Sequence, residues 1–587
     1  MLRTHTCGEL NQKNLDQKIT LCGWVDTRRD HGNLIFIDLR DRWGKTQLVF
    51  NPDTDKNIHA SAEKLRSEFV VQVKGSVQKR PKGTENTKIA TGQIEIKVDE
   101  LQILNPSDTP PFEILDDLQV SEEHRLKYRY LDLRRPSMFN RMKDRHRVTK
   151  VARDYFDEKG FIEVETPMLT RSTPEGARDF LVPSRLEPGS FYALPQSPQL
   201  FKQILMVSGF DRYVQFARCL RDEDLRADRQ PEHTQIDVEM SFVTEEDIMA
   251  TIEGLLSRII KAIRNVDVKT PFPRMTYQDA MNRFGSDKPD LRYRLEFMDV
   301  TKLLDGSQFK IFQEVIKQNG VIKGIKVSEK NFSRGDFDEL TSYVQGFGAK
   351  GLVWFKVLDS SLESPVAKFL NEDQQKKLRD QFQAKTGDTL FLIADQWAAA
   401  CTALGALRTK LASTLGLTAK SQEFNLSWVI DFPLFTWNEE EKHVDAVHHP
   451  FTAPQDADLA YLEKEPLKVK ARAYDIILNG TEVGGGSIRI HQETVQKKVF
   501  SILGITDSEA QEKFGFLLKA LRFGAPPHGG IAIGLDRLCA LLAGQDSIRE
   551  VIAFPKTQRG TCPLTDAPSK VYPKQLKELY LNIVNKG

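Results

Sequence analysis

Several things are missing from this chain, and each absence narrows what it can be. Its 587 residues contain no uninterrupted apolar stretch long enough to span a bilayer, and the N-terminus lacks the basic-then-apolar order of a signal peptide. The cytoplasm is therefore the expected compartment, with no membrane partner. The six cysteines, Cys7, Cys22, Cys219, Cys401, Cys539 and Cys562, form no C-x-x-C pair and no Cys/His ligand spacing. Reduced buried thiols account for them, and zinc is not expected. Charge of neither sign is in real excess: 83 Lys and Arg against 82 Asp and Glu leave a net +1, so any nucleic-acid contact must come from a local basic surface. No P-loop pattern and no fixed-period repeat occurs. The length exceeds what one core usually supports, and about two to four domains are expected.

What is present begins with a β-rich unit over residues 1–105. Five short alternating runs, Ile19 to Val25, Leu34 to Arg40, Thr46 to Phe50, Phe69 to Val77 and Gln93 to Val98, with a helical patch from Ile58 to Leu65, predict an OB barrel. Arg28, Arg29 and Phe36 suit a base-stacking platform with phosphate contacts, although a lone aromatic such as Phe36 is more often a core residue. Residues 106–136 read as a linker: Asn105-Pro106-Ser107-Asp108-Thr109-Pro110-Pro111 is stiff and turn-rich, and the basic run Arg125 to Pro136 reads as a solvated helix or a hinge facing a nucleic-acid partner. Residues 137–288 and 421–555 form the two parts of one catalytic unit, with a helix from Arg141 to Lys159 and another from Glu245 to Arg264. Residues 289–420 are an α+β insertion without nucleotide motifs, and 556–587 a C-terminal extension.

Two distant arginines beside carboxylates carry the chemistry. Arg221-Asp222-Glu223 precedes Asp237 by fourteen residues, counted from Glu223, and Gly529 to Leu538 contains Gly534-Leu535-Asp536-Arg537. A planar, permanently charged guanidinium forks onto phosphate, so one arginine suits the α-phosphate and the other the γ-phosphate or the adenine face. The glycines permit close backbone approach to a nucleotide at a strand-to-helix junction. Together these segments resemble the second and third signature motifs of class II aminoacyl-tRNA synthetases, and Gly160 to Leu169, a glycine and an apolar strand ending in Pro167, resembles the first.

Three further segments bear on the amino acid. Thr173 to Asp179 is a turn-forming stretch with Glu175 at its tip, suited to a lid that grips an α-ammonium group. Gln199 and Lys202 face the same way on one helical turn. Alternation along Gly485 to Ile490 places Ser487 and Arg489 on one sheet face. Lys202 and Arg489 supply two positive charges, which a carboxylate side chain needs and a carboxamide does not, so aspartate is the implied substrate. With these residues the chain resembles the bacterial-type aspartyl-tRNA synthetases over essentially its whole length. The resemblance implies a multidomain α+β protein with an anticodon-binding OB barrel, an antiparallel-sheet catalytic domain, an insertion and a homodimer. It implies ATP and magnesium as cofactors and L-aspartate and tRNA(Asp) as partners. It assigns Glu175, Gln199, Lys202, Arg221, Asp237, His448 and Arg489 to aspartate, and Arg221, Asp222, Glu223, Gln230, Glu482, Gly534, Leu535, Asp536 and Arg537 to ATP. Arg221, Arg537 and Glu482 are its catalytic set, Asp475 and Glu482 its magnesium ligands, and Arg28, Phe36, Gln47 and Glu95 its anticodon contacts.

Two alternatives lie close by in mechanism and one farther off. An asparagine-activating enzyme or a tRNA-free aspartate-amidating relative is disfavoured by Arg489, the insertion and the complete barrel; a catalytically dead nucleic-acid-binding paralogue is disfavoured because Arg221, Arg537 and Glu482 are all present. His31 and Gly83, on two barrel loops, look like the residues found in family members that charge both tRNA(Asp) and tRNA(Asn). A loop histidine is otherwise simply solvated and a turn glycine conformational. An enzyme restricted to tRNA(Asp) is the competing expectation.

Overall fold

A computed structural model describes residues 1–173, 176–328, 330–418 and 423–584. Alternation builds the first element: Ile35, Ile37 and Leu39 point inward with Leu21, Val25, Leu48, Val71, Val73, Ile94 and Ile96, while the residues between them face out. The strands β1 (Lys18–His31), β2 (Leu34–Arg40), β3 (Lys45–Phe50), β4 (Val70–Lys79) and β5 (Ile94–Asn105) close into a barrel in the order β1-β2-β3-β5-β4. The short helix Lys56–Ala62, capped by the Asp55 carboxylate, packs Ala62 into the barrel core.

The basic run after the barrel differs from its sequence reading. Three of its arginines turn inward onto Asp132, which has no solvent exposure: Nη1 of Arg129 lies 2.5 Å, of Arg135 2.7 Å and of Arg125 3.4 Å from its carboxylate. Arg129 also donates to the carbonyl oxygens of Ile552 and Ala553, each at 2.9 Å. A fully buried carboxylate is costly without cationic donors, so these guanidiniums are structural, neither solvated nor turned outward. The chain accordingly divides into two compact units, Met1–Lys143 with Ile552–Ser569, and Asp144–Val551 with Lys570–Gly587.

The second unit is organised by an eight-stranded sheet of β6 (Ile162–Glu163), β7 (Arg212–Leu220), β8 (Glu232–Ser241), β9 (Arg274–Thr276), β10 (Leu426–Ile430), β11 (Ala473–Leu478), β12 (Thr481–Ile488) and β13 (His528–Gly534). Their order is β9-β10-β11-β12-β13-β8-β7-β6, antiparallel except for the parallel outermost pairs β9·β10 and β6·β7. Helix Glu245–Arg264 begins at a Thr244/Asp247 capping box, ends on left-handed Asn265 and buries an Ile/Leu stripe. The long helix after the linker spans Pro136–Glu158, starting earlier than Arg141 because proline is well tolerated in a helix's first turn.

Between β9 and β10 lies a separate five-stranded sheet, ordered Met298–Asp299, Val321–Val327, Thr389–Asp395, Val353–Val357, Leu362–Glu363. Its central strand Thr389–Asp395 is buried throughout, with one apolar cluster holding Phe391 and Ile393 and another holding Leu390 and Leu392. All six cysteines are unpaired, and among the described residues no helix is long and apolar enough to cross a membrane.

Candidate active site

Register across the second unit's sheet aligns two rows of residues. Asp475 faces Gly485, which faces Ala532, which faces Asp237; one pleat away, Ser487 faces Gly530, which faces Glu239. Both rows lie on one face because each strand contributes residues two apart. The glycines make room for carboxylates. A Cβ at Gly530 would sit 2.0 Å from Glu239 Oε2, and one at Gly485 would sit 2.6 Å from Asp475 Oδ1. Side chains there would displace the acids, so these positions hold glycine because acidic side chains fold flat over the strands.

Over this floor opens a cavity of about 510 Å³ lined by Gln199, Lys202, Arg221, Asp237, His448 and Arg489 together with Arg489's partners Ser487 and His449. Lys202, from the first turn of helix Gln199–Val207, is 1% exposed and reaches Asp237 Oδ1 at 3.1 Å and Glu239 Oε2 at 3.4 Å. Arg489, 2% exposed, forks onto Glu239 at 2.9 and 3.2 Å and donates to Ser487 Oγ at 2.7 Å. Two cations and two carboxylates are therefore interleaved. Burial pushes the Glu239 carboxyl up, but Arg489 and then Lys202 outweigh it and hold it below the usual range. For Asp237 burial wins over Lys202, and its carboxyl is raised. Its Oδ2 and Gln199 Nε2 are buried without a hydrogen-bond partner, one acceptor and one donor left over in the cavity.

The histidines divide their work. His449 Nε2 lies 2.9 Å from Arg489 Nη1. A guanidinium only donates, so Nε2 accepts and the imidazole is neutral; its Nδ1 faces the Phe451 backbone N–H at 3.2 Å and Thr452 Oγ1 at 3.4 Å. Burial and then the Arg489 charge hold its pKa well below the ordinary value, in accord. His448 faces the other way, with Nε2 3.7 Å from Asp475 Oδ1. Burial works against its protonation, but Asp475 outweighs burial and the pKa is raised.

A second cavity of about 230 Å³ adjoins the first; Arg221, Glu223, Gln235, Glu482 and Ala532 line both. Of the other residues expected at ATP, Gln230, Gly534, Asp536 and Arg537 line it too. Arg537 is anchored by donating to the Glu482 carbonyl oxygen at 2.5 Å and lies 3.4 Å from Asp228. Burial and then Asp475 raise the Glu482 carboxyl above its usual range. His233 shares this cavity; burial, then Arg221 and Arg537, lower its pKa to about 3.

Three of the expected ATP residues are placed differently. Asp222 is exposed, 3.7 Å from Arg178, and lines neither cavity. Leu535 is a buried core residue at 3% exposure. Asp536 reaches the cavity wall, but its carboxylate accepts from Thr234 N at 2.8 Å and pairs with Arg145, fixing β8 against the helix Leu535–Leu542. Glu175 lies outside the described residues. The stretch after it is tied down: Gln196 exchanges hydrogen bonds with the Ala177 backbone at 2.8 and 3.2 Å. Glu239 was absent from the sequence prediction, although it stands two residues from Asp237 in the same strand and shares its face.

On the barrel, Phe36 is half-buried on the outer wall, opposite Arg29 on β1, and not in the core. Gln47 Nε2 donates to Glu95 Oε2 at 2.9 Å and Arg29 Nη2 donates to Gln47 Oε1 at 3.2 Å. Burial raises the Glu95 carboxyl. Arg28 is held by Asp30 at 2.8 Å and by the Glu63 carbonyl oxygen at 2.7 Å, so its guanidinium is already engaged. His31 is exposed beside the Gly32-Asn33 turn. Gly83 sits in open space at φ +89°, a conformation that by itself favours glycine.

Comparison with known proteins places these features. Residues 121–558 match the family model of class II tRNA synthetases (D, K and N), and residues 19–104 match that of the OB-fold nucleic acid binding domain. A protein of Caldanaerobacter subterraneus subsp. tengcongensis, named aspartate–tRNA(Asp/Asn) ligase, is 53% identical over 582 residues, covering 99% of this chain and 98% of its own. One of Desulfatibacillum aliphaticivorans with the same name is 54% identical over 585 residues, with the same coverage of each chain. The asparaginyl-tRNA synthetase of Pyrococcus horikoshii, solved with asparaginyl-adenylate, superposes over 98% of this chain and 100% of its own with a TM-score of 0.60 at 19% identity, a likeness of fold.

Proposed function

The chain belongs to the class II tRNA synthetases (D, K and N), and from that premise we propose that it is an ATP-dependent ligase that activates L-aspartate and transfers it to tRNA(Asp) and tRNA(Asn). One observation carries the choice of amino acid: Arg489 and Lys202 are buried in the cavity floor, with Asp237 Oδ2 and Gln199 Nε2 unpartnered beside them. The aspartate side-chain carboxylate meets Arg489 and Lys202, its α-ammonium meets Asp237, and Gln199 donates to an oxygen of the ligand. Asparagine would turn an amide N–H₂ toward cationic donors, which disfavours it. Relatives at 53% and 54% identity, named for aspartate and both tRNAs, support the reading.

The chemistry needs no protein nucleophile. An α-carboxylate oxygen attacks the α-phosphorus of ATP, the new P–O bond forms as the bond to pyrophosphate breaks, and the charge that develops lies between Arg221, which lines both cavities, and Arg537. The tRNA terminal hydroxyl then attacks the activated carbonyl and AMP leaves. Asp475 and Glu482 fit magnesium: they are hard oxygen donors, Asp475 Oδ1 has no hydrogen-bond partner, and burial and then Asp475 raise the Glu482 carboxyl. Bound there with the triphosphate, the ion would neutralise phosphate charge.

The outer-wall residues Phe36, Gln47 and Glu95 face the anticodon, and His31 and Gly83 leave its third base without a discriminating contact. A homodimer in the cytoplasm completes the reading, supported by the sheet edge at β6, where Ile162, Met168 and Leu169 are 49%, 42% and 53% exposed. ATP–pyrophosphate exchange tests the assignment. Exchange driven by aspartate and not asparagine is expected; exchange driven by asparagine, or by neither, would overturn it.

A further inference from the structure

We propose that a groove on the first unit, between the barrel wall and the start of the helix at Pro136, is a subsite for one nucleotide of RNA, taking its base on an indole and its phosphate on a guanidinium. The inference rests on the tRNA reading above and adds a contact outside the anticodon set. The groove encloses about 340 Å³ and is lined by Trp24, Trp43, Arg42, Arg134, Lys45 and Phe139 among others. Trp43 is 55% exposed, unusual for the largest apolar side chain. Guanidinium groups already stack here: Arg42 lies 4.4 Å from the Trp43 ring centre and 5.7 Å from that of Phe139, and Arg134 lies 5.0 Å from that of Trp24.

Charge points to an anion. Arg40, Lys45 and Arg134 share the two carboxylates of Asp26 and Glu68, and Arg3 pairs with Asp41. Arg42 meets no carboxylate among the described residues. Five cations thus face three carboxylates. An exposed indole beside a positive excess is what single-stranded nucleic acid requires, whatever its sequence.

Position says which nucleic acid. Trp24 pairs with Arg40 across β1 and β2, and Arg29 pairs with Phe36. Phe36 and Arg40 stand four residues apart on the same face of β2, about 13 Å at ~3.3 Å per residue. Stacked nucleotides rise ~3.4 Å each along a strand and the splayed nucleotides of a loop span more, so fewer than about four connect the anticodon face to the groove and the occupant stays within the unpaired loop. The occupant is an unpaired nucleotide of the anticodon loop that flanks the anticodon. A free mononucleotide has the same chemistry and is the other possible source.

The test measures tRNA charging and ATP–pyrophosphate exchange for Trp43→Ala, Trp43→Phe and Arg42→Gln, with Phe36→Ala in parallel, and titrates wild type and Trp43→Ala with uridine monophosphate by tryptophan fluorescence. Trp43→Ala should raise the tRNA KM roughly 5- to 100-fold with exchange unchanged, Trp43→Phe should restore most of it, and Arg42→Gln should lower the salt slope of tRNA binding by about one. Saturable quenching by the mononucleotide, lost in Trp43→Ala while the tRNA KM stays constant, would keep the site and assign it to a free nucleotide. No change in either readout, with Phe36→Ala raising the tRNA KM, would overturn this inference alone. A Trp43→Ala enzyme that charges normally but dissociates as a dimer would overturn it in favour of a second copy covering the groove. Silence of Phe36→Ala as well would count against the anticodon reading.

Discussion

Replacing Arg489 by leucine removes a bidentate partner from Glu239 and donors to Ser487 and His449. Glu239 has no solvent exposure, and its remaining cation, Lys202, is 3.4 Å away. Truncating one member of a buried ion pair costs about 3–5 kcal/mol, because the partner charge stays buried. If that cost fell wholly on aspartate recognition, kcat/KM for aspartate would fall roughly 10²- to 10³-fold at ~1.4 kcal/mol per decade. Part of it must instead appear as instability, and a double variant separates the two. Arg489→Leu with Glu239→Leu removes both charges, so thermal and urea stability should recover most of what the single change loses. Aspartate-dependent pyrophosphate exchange should not recover, because the substrate carboxylate still lacks its partner. ATP affinity should move little in either protein. A double variant that regains wild-type aspartate kinetics would refute the reasoning, leaving Arg489 only as a counter-ion to Glu239.

Three further outcomes follow from the geometry. Glu482→Gln should abolish most adenylate formation while leaving the protein folded, since it removes one of two crowded carboxylates; an unchanged magnesium dependence of exchange would contradict this. His233 has a folded pKa of about 3, below its unfolded value near 6.5, so its contribution to stability is present above pH 6.5 and is lost as pH falls toward 3. His233→Gln should then flatten acid destabilisation by roughly 1–2 kcal/mol at pH 5, measured by urea unfolding at pH 5 and 7; identical pH dependence in both proteins would exclude it. His31→Leu with Gly83→Lys should lower charging of tRNA(Asn) selectively, compared as initial rates on both transcripts. Because Gly83 is left-handed, Gly83→Asn, which tolerates that conformation, is the control that separates lost contact from backbone strain.

Residues whose role follows from local pattern were legible in the sequence. Helix Glu245–Arg264 has its capping box and its apolar period written along it, and the barrel strands show their alternation. Lys202 and Arg489 could be paired from charge alone. Glu239 was missed because a carboxylate in the apolar-flanked strand at Val238 and Met240 shows no local sign of the two cations, more than thirty residues away in one direction and 250 in the other, that neutralise it. The basic linker misled for the same reason: Asp132 sits among its arginines in plain view, but whether they turn inward depends on packing that includes the distant Ile552 and Ala553 carbonyls. Phe36 resolved the other way, since its strand already had Ile35, Ile37 and Leu39 for the core and left it for the outside.

The most direct test of the whole account is the initial rate at which the wild-type enzyme attaches aspartate to purified tRNA(Asp) and tRNA(Asn) transcripts. The two anticodons share their central U and differ only at the third base, and one base contact is worth roughly 1–3 kcal/mol, so a barrel that withholds that contact should aspartylate both within about tenfold. A preference of about a thousandfold for tRNA(Asp) would contradict the dual specificity, and attachment of asparagine, or of nothing, to either tRNA would contradict the account at its centre.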